Sequence, residues 1–180
     1  MSIIQPIETN RLILREVVES DHDALHRILS DPVVMKFYPK VADQAETERW
    51  MKGIRRRYEQ DGHSFYGVEL KSDGEMIGIC GLLNQQVEGE LFHEVGYLFA
   101  QAWWHQGYAT EAAQRSRDEG FTTFGYNHII SIIDPGNTPS IRVAERNGMV
   151  YERTAPFKEV ENASIYGITR LNWEQLTHGQ

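Results

Sequence analysis

Glu94-Val95-Gly96-Tyr97-Leu98-Phe99, and soon after it Trp103-Trp104-His105-Gln106-Gly107-Tyr108-Ala109-Thr110-Glu111-Ala112, is the stretch that decides the fold. The first run reads as a strand. From residue 107 the apolar period turns helical, and Ala109, Ala112, Ala113, Ser116 and Gly120 place small residues on roughly one face, where a sheet can approach closely. A strand that enters a helix through a short glycine-bearing loop makes an anion site. The first helical turn presents N–H groups without intrahelical partners, and its dipole favours a phosphate. No Gly-Lys-Ser/Thr follows and no GxGxxG is present, so this is neither a Walker loop nor a dinucleotide fingerprint. Taken alone, the same residues also describe an ordinary strand-to-helix turn.

Upstream, Arg11-Leu12-Ile13-Leu14-Arg15 reads as a first strand with Leu12 and Leu14 on one face. Ser20 with Asp23 suggests a capped helix start, with Ala24, Leu25, Ile28 and Leu29 as its buried stripe and Pro32 beyond its end. Asp43 and Glu46 cap a second helix, in which Trp50, Met51, Ile54 and Tyr58 recur at helical spacing, and Asp61-Gly62 ends it. Strand signals follow over Ser64 to Leu70, Met76 to Leu83 and Leu91 to Phe99, with turns at Ser72-Asp73-Gly74 and Val87-Glu88-Gly89.

Downstream, Ile129, Ile130, Ile132 and Ile133 form a β-branched run typical of a strand buried on both faces. Asn137-Thr138-Pro139-Ser140 opens another helix with proline at its natural first position, and Gly148 fits the residue after its end. Alone, Asn137 and Ser140 are capping and turn residues. Final strands are expected near Met149 to Pro156 and Ser164 to Leu171. The order is β-α-α-β-β-β-α-β-α-β-β, seven strands and four helices. Regular βαβ alternation is missing, so a mixed, mostly antiparallel α/β sheet flanked by helices is expected, not a doubly wound one. No repeat or interdomain linker interrupts residues 1–180, which read as one domain.

The chain of 180 residues carries 18 Lys and Arg against 26 Asp and Glu, a net charge of −8, and is 41% hydrophobic, enough to build a core. That acidity argues against nucleic acid as a partner. Cys80 is the only cysteine, which excludes an intramolecular disulfide and fits a reducing, cytoplasmic setting. The opening Met1-Ser2-Ile3-Ile4-Gln5-Pro6 lacks the features of a signal peptide. No apolar run approaches the ~20 residues that cross a bilayer, so no membrane partner is expected.

The two helix-opening motifs, in this order and spacing, resemble those of the GCN5-related N-acetyltransferase superfamily. Within it the likeness is to the ribosomal-protein N-terminal acetyltransferases of the RimJ and RimL type. The resemblance runs from Thr9-Asn10-Arg11-Leu12-Ile13-Leu14-Arg15 to about Leu171. Trp104-His105-Gln106-Gly107-Tyr108-Ala109 occupies the family's acetyl-CoA loop, Gln/Arg-x-x-Gly-x-Gly/Ala, and matches it at Gly107 and Ala109. Tyr108-Ala109-Thr110-Glu111-Ala112 is especially like the RimJ branch, and Asn137-x-x-Ser140 followed by Gly148 matches that branch's second motif.

The resemblance implies direct acetyl transfer from acetyl-CoA to an amine, with no covalent enzyme intermediate and no part for Cys80. Backbone groups around Leu98 and Phe99 would pair with the pantetheine arm. The amides from His105 through Gln106, Gly107, Tyr108 and Ala109 to Thr110 would hold the pyrophosphate, and Arg142 or Arg146 would lie near the 3′-phosphate. Gly96 is compatible with the family's strand bulge. The segment between the first two helices implies Phe37, Tyr38 and the nearby Trp50 as substrate-side residues. The connection Phe157 to Ala163 is the other expected wall. Trp104 and His105 depart from the loop consensus, and Met149 replaces a common phenylalanine. Ala144 falls where many members place a proton-donating tyrosine, so Ser140, or a water held by Asn137, is the candidate general acid.

The attacking amine must be neutral. An α-amine of pKa about 7.8 costs ~1 kcal/mol to deprotonate at pH 7, whereas lysine at about 10.4 costs ~4.6 kcal/mol. A modest base therefore suffices for an α-amine. Glu94, on the strand leading into the loop, is the best-placed carboxylate, and His93 alternates to the opposite face. The acceptor expected is a protein N-terminus, the alternatives being a small amine such as an amino acid or antibiotic, or a non-catalytic CoA-binding module. Monomer and homodimer both stay open. His22 and His26 imitate a zinc-protease spacing, but Asp23 replaces the glutamate and no third ligand follows, so no metal is expected. Lys52 with Arg55-Arg56-Arg57 reads as a solvated helix face.

Overall fold

Asp43 Oδ1 accepts the amide of Glu46 at 2.7 Å, and Gly62 turns left-handed at φ 77°. Between these stops runs a helix of 18 residues, Gln44–Asp61, as the sequence signals require. The computed structural model describes residues 4–178; the reading of Met1-Ser2-Ile3 as free of a signal peptide lies outside them. Among the described residues the elements are β1 (Ile7–Glu8), β2 (Leu12–Arg15), α1 (His22–Leu29), α2 (Gln44–Asp61), β3 (Phe65–Leu70), β4 (Met76–Val87), β5 (Glu90–Phe99), α3 (Tyr108–Thr122), β6 (His128–Ile133), α4 (Thr138–Arg146), β7 (Val150–Phe157), β8 (Val160–Thr169) and α5 (Arg170–His178). The sheet has eight strands in the order β1-β2-β3-β4-β5-β6-β8-β7. It is mostly antiparallel, and β5 pairs with β6 in parallel.

The expected mixed α/β class and element order are those observed, with one strand and one helix more than expected. β1 is two residues long, too short to carry a period, and is held against β2 by Ile7 opposite Leu14. The C-terminal run expected as strand to Leu171 stops at Thr169, whose Oγ1 accepts the amide of Asn172 at 3.3 Å and starts α5. Trp173 secures that helix: its ring stacks on Phe121 with centroids 4.9 Å apart, and its indole donates to Asp118 at 2.7 Å. The expected Ser20–Asp23 capping is also corrected. Asp21 does that work, accepting from Val18 N at 2.8 Å while Arg15 forks onto both its oxygens at 2.8 and 2.9 Å. The early turn is a 3₁₀ turn over Glu19–Asp21, and α1 begins only at His22.

The chain divides into two compact units. One comprises residues up to Gly81 together with Tyr97–Ala112; the other comprises Leu82–Gly96 and residues from Ala113 onward. In the first, Leu12, Leu14, Leu25, Leu29, Ile77 and Ile79 are fully or almost fully buried. Tyr58, on α2, accepts the amide of Val17 at 3.1 Å and donates to the carbonyl of Phe65. Burial pushes its hydroxyl well above the ordinary tyrosine range, outweighing the Val17 amide, which favours the charged form. In the second unit β6 is flanked by β5 and β8, and Ile129 meets α3 at Gly120. His22 and His26 stack on each other with ring centroids 6.1 Å apart, and His26 Nδ1 lies 2.9 Å from Thr47 Oγ1. Among the described residues no helix is long and apolar enough to cross a membrane.

Gly78 on β4 shows how closely the strand that leads to the loop is packed. A Cβ there would stand 2.7 Å from the carbonyl oxygen of Leu98 and 2.6 Å from the ring of Phe99. Gly78→Ala is expected to cost about 1–3 kcal/mol by overpacking, read as a lower urea midpoint at unchanged m-value.

Candidate active site

The loop after β5 is shaped by two left-handed residues, His105 at φ 61° and Gly107 at φ 82°. Glycine adopts this region freely, and among other residues histidine is one of the enriched exceptions. That accounts for His105 at a position where the family commonly has glycine. Trp104, the other departure, makes its own staple: its indole N–H donates to the carbonyl of Phe99 at 2.8 Å. Phe99 therefore already has one acceptor lone pair engaged, and the amide of Ala100 returns to Ile77 O at 3.0 Å. Gln106 turns its carboxamide back to Ala102 O at 3.1 Å.

A brace from the N-terminal strand holds the loop. Glu111 Oε1 accepts from Thr9 Oγ1 at 2.6 Å and from Arg11 N at 2.8 Å, while Oε2 accepts from Arg11 Nε at 2.7 Å. Arg11 also donates through Nη1 to Gln106 O at 3.0 Å, and its guanidinium lies 4.2 Å over the ring of Tyr108. These contacts turn the Gln106 carbonyl and the Glu111 carboxylate, the two groups most repulsive to an anion, toward Arg11. The first turn of α3 closes with Glu111 N to Gly107 O at 3.0 Å, so the amides of Tyr108, Ala109 and Thr110 precede any intrahelical bond. A loop with no Cβ at Gly107, small Ala109 and Thr110, and its anionic neighbours tied away fits a pyrophosphate. Burial pushes the Glu111 carboxyl up, but hydrogen bonds from Thr9 and from Arg11, with the arginine charge, outweigh it and hold the group below the usual range.

In the second unit Glu94 is buried, at 8% exposure, beside Gln85 at 9%. Gln85 Nε2 donates to Glu94 Oε2 at 2.7 Å, and the backbone amide of Ile132 donates to Oε1 at 3.3 Å. Glu94 stands opposite Ile130 in the parallel register of β5 and β6. Just past that pair, Ser131 Oγ donates to Val95 O at 2.7 Å. Side chains thus satisfy backbone groups that a continued ladder would have paired. His93 faces the other way, stacked on Tyr126 at 3.5 Å and within 2.8 Å of Asn84 Oδ1.

Asn137 caps α4, its Oδ1 accepting from Ser140 N at 3.3 Å, and Gly148 closes the helix at φ 81°. Arg142 and Arg146 are exposed, and Gln114 donates to the carbonyl of Arg146 at 3.0 Å. In the first unit Trp50 lies between Tyr38, edge-on at 6.1 Å, and Phe65, stacked at 6.4 Å; Phe37 has Lys36 Nζ 5.3 Å from its ring. Lys52 and Arg55 are paired with Glu48 and Glu19 at 2.6 and 3.2 Å beside His22 and Met51, a mixed-charge hollow and not a phosphate site. Structure therefore joins Trp104 to Phe99, Gln106 and Tyr108 to Arg11, and Asn137 to Ser140. Sequence reasoning missed Thr9, Arg11 and Glu111 as loop-holding residues and Gln85 as the partner of Glu94. The signal was present in Thr9-Asn10-Arg11, which sets a hydroxyl and a guanidinium at the start of the first expected strand.

Residues 11–150 match the acetyltransferase (GNAT) domain family, and the chain belongs to that family of acetyl-CoA-dependent acyltransferases. Among its relatives, the Bacillus subtilis protein YkkB is 40% identical over 147 residues, covering 81% of this chain and 86% of its own. YnaD of the same organism, named an uncharacterized N-acetyltransferase, is 32% identical over 143 residues, covering 79% and 81%. The crystal structure of an acetyltransferase from Agrobacterium tumefaciens superposes with a TM-score of 0.82 at 28% identity, covering 93% of this chain and 95% of that one. RimL, described as a ribosomal alpha-N-protein acetyltransferase and solved with coenzyme A, shares the fold at a TM-score of 0.73 and 19% identity, covering 92% and 98%.

Glu111→Gln is expected to weaken the fold by about 1–2 kcal/mol at pH 7, as charge-assisted hydrogen bonds are lost. Because the native carboxyl is held low, that contribution is present above the ordinary carboxylate value and drains as acid protonates Glu111. The difference between the two proteins therefore closes below about pH 4, which urea midpoints taken from pH 7 downward will show. Gly107→Ala forces a Cβ into a left-handed residue, 3.4 Å from Arg11 Nη2, and is expected to lower coenzyme A affinity severalfold by calorimetry.

Proposed function

We propose that this chain, residues 1–180 as a single N-acetyltransferase domain, acetylates the α-amine of a polypeptide N-terminus, with Glu94 as the general base. The observation that carries this reading is the buried Glu94 carboxylate, fixed by Gln85 and the Ile132 amide where β5 and β6 stop pairing. A carboxylate held from two sides keeps its orientation without reorganising, which is what a base needs. An α-amine asks only a modest base, and the fold shared with RimL supports the same acceptor class.

Acetyl-CoA supplies the activated acetyl group. The amides of His105 to Thr110 bind its pyrophosphate, with Arg11, Thr9 and Glu111 holding the loop in shape. Leu98 and Phe99 lie along the pantetheine arm, and Arg142 and Arg146 serve the 3′-phosphate. Glu94 takes the proton from the amine, directly or through water. Asn137 fixes the entrance of α4, and Ser140 is the proton donor for the departing thiolate in place of the tyrosine that Ala144 lacks. Phe37, Tyr38 and Trp50 stand on the acceptor side. One buried cysteine and dependence on acetyl-CoA support a cytoplasmic site of action.

Glu94→Gln is expected to lower turnover about a hundredfold or more near pH 7. The deficit shrinks toward pH 9, where the amine is neutral without help. Coenzyme A binding stays unchanged. Thiol release followed across that pH range decides it: an unaltered pH–rate profile removes Glu94 from the role, and binding without turnover on any amine favours a non-catalytic module.

A further inference from the structure

The face of the second unit that carries Glu94 also carries an apolar cluster, bordered by the hydrogen-bonded pair His128 and Glu152, whose imidazole lies 6.4 Å from the ring of Phe92. Phe92 is two residues before Glu94 on β5 and points to the same side, and Ile130, opposite Glu94, shares that side with Ile132. Across β6 and β8, Ile130 faces Gly167 and Ile132 faces Ile165. Val87, Ile130, Ala155 and Ile165 are buried there, and Phe92, Ile132 and Phe157 pack against them while remaining only partly buried. The opposite face is the one the helices occupy, with Ile129 against α3 at Gly120 and Ile168 beside Gly148 and α5 Leu176. Ile132 ties the two features together: its amide holds the Glu94 carboxylate while its side chain belongs to the apolar surface.

We infer that the acceptor carries a bulky apolar group on the carbon next to its amine, taken up by Phe92, Ile132 and Phe157 while the amine meets Glu94. This rests on the reading of Glu94 as the base. A monoamine suits this surface. The carboxylates that border it are already engaged, Glu88 by Arg153, which lies 5.8 Å from the centroid of Phe92, and Glu152 by His128, which lies 6.4 Å from it, so a second positive charge on the acceptor would find no free partner there. A small or hydroxylated group would leave the two phenyl rings wet and gain nothing from them. A leucyl or phenylalanyl group removes apolar surface from water on both partners.

The test is a series of acceptors with one amine and graded side chains: glycinamide, serinamide, leucinamide and phenylalaninamide, with a linear triamine as the polycation. Thiol release at saturating acetyl-CoA is followed for each, with the product mass confirmed. The expected result is a kcat/KM that climbs about ten- to a hundredfold from glycinamide to leucinamide and phenylalaninamide, with the triamine no better than glycinamide. Phe92→Ala and, separately, Phe157→Ala bring the ratio of leucinamide to glycinamide kcat/KM toward one. Should either variant fail to fold, the parent series decides alone. A flat series, or one that favours serinamide or the triamine, overturns the apolar pocket while leaving acetyl transfer standing. No turnover with any amine overturns the acetyltransferase reading itself, and this inference with it.

Discussion

A backbone amide in the interior of a sheet needs an acceptor, and the amide of Ile132 finds one in a side chain, the carboxylate of Glu94. Much of the second unit follows from that substitution. If β6 continued in register with β5, a strand carbonyl would take the bond and Glu94 would have no reason to be fixed. Because the ladder is replaced, the two strands can part without orphaned polar groups. Ser131 does the same for the carbonyl of Val95, and Gln85 holds the remaining carboxylate oxygen from the neighbouring strand. Glu94 is thus both a structural acceptor and a candidate base.

The first unit faces a different constraint, since its loop after β5 is a candidate anion site in a protein whose net charge is −8. The overall field opposes a phosphate, so the attraction has to be local. Two left-handed residues bend the chain into the helix, and the N-terminus of α3 offers amides and a favourable dipole. Glu111 sits in that same first turn and would repel the ligand, yet three donors from Thr9 and Arg11 engage it. Trp104 replaces the loop's usual polar first residue and keeps a backbone link by its indole instead.

Where structure depends on neighbours in sequence, the sequence was readable. Asp43 and Gly62 bound α2, Asn137 and Pro139 open α4, and Gly148 ends it; each acts within one turn of its own position. The left-handed turn at Gly107 and the α3 entrance were legible for the same reason. The brace was not, because Thr9 and Glu111 are 102 residues apart and neither spacing nor period links them. Gln85 escaped notice because its meaning lies across a hairpin, on the neighbouring strand. The Ser20–Asp23 reading gave way to Asp21, which takes the Val18 amide and is held in place by Arg15 from β2. β1 and α5 carry too little pattern to declare themselves, one being two residues long and the other held by Trp173 stacked on a distant phenylalanine.

The brace also orders events in the life of the chain. Thr9 and Arg11 leave the ribosome early, but the carboxylate they grip is synthesised about a hundred residues later. Until Glu111 has emerged the strand holding Thr9 and Arg11 lacks this anchor, and the loop after β5 cannot take its final shape. Contacts so distant along the chain slow folding, since the entropy of closing the intervening loop is spent before the contact forms. The segment that resembles the family from its first residues is therefore among the last to be locked in place.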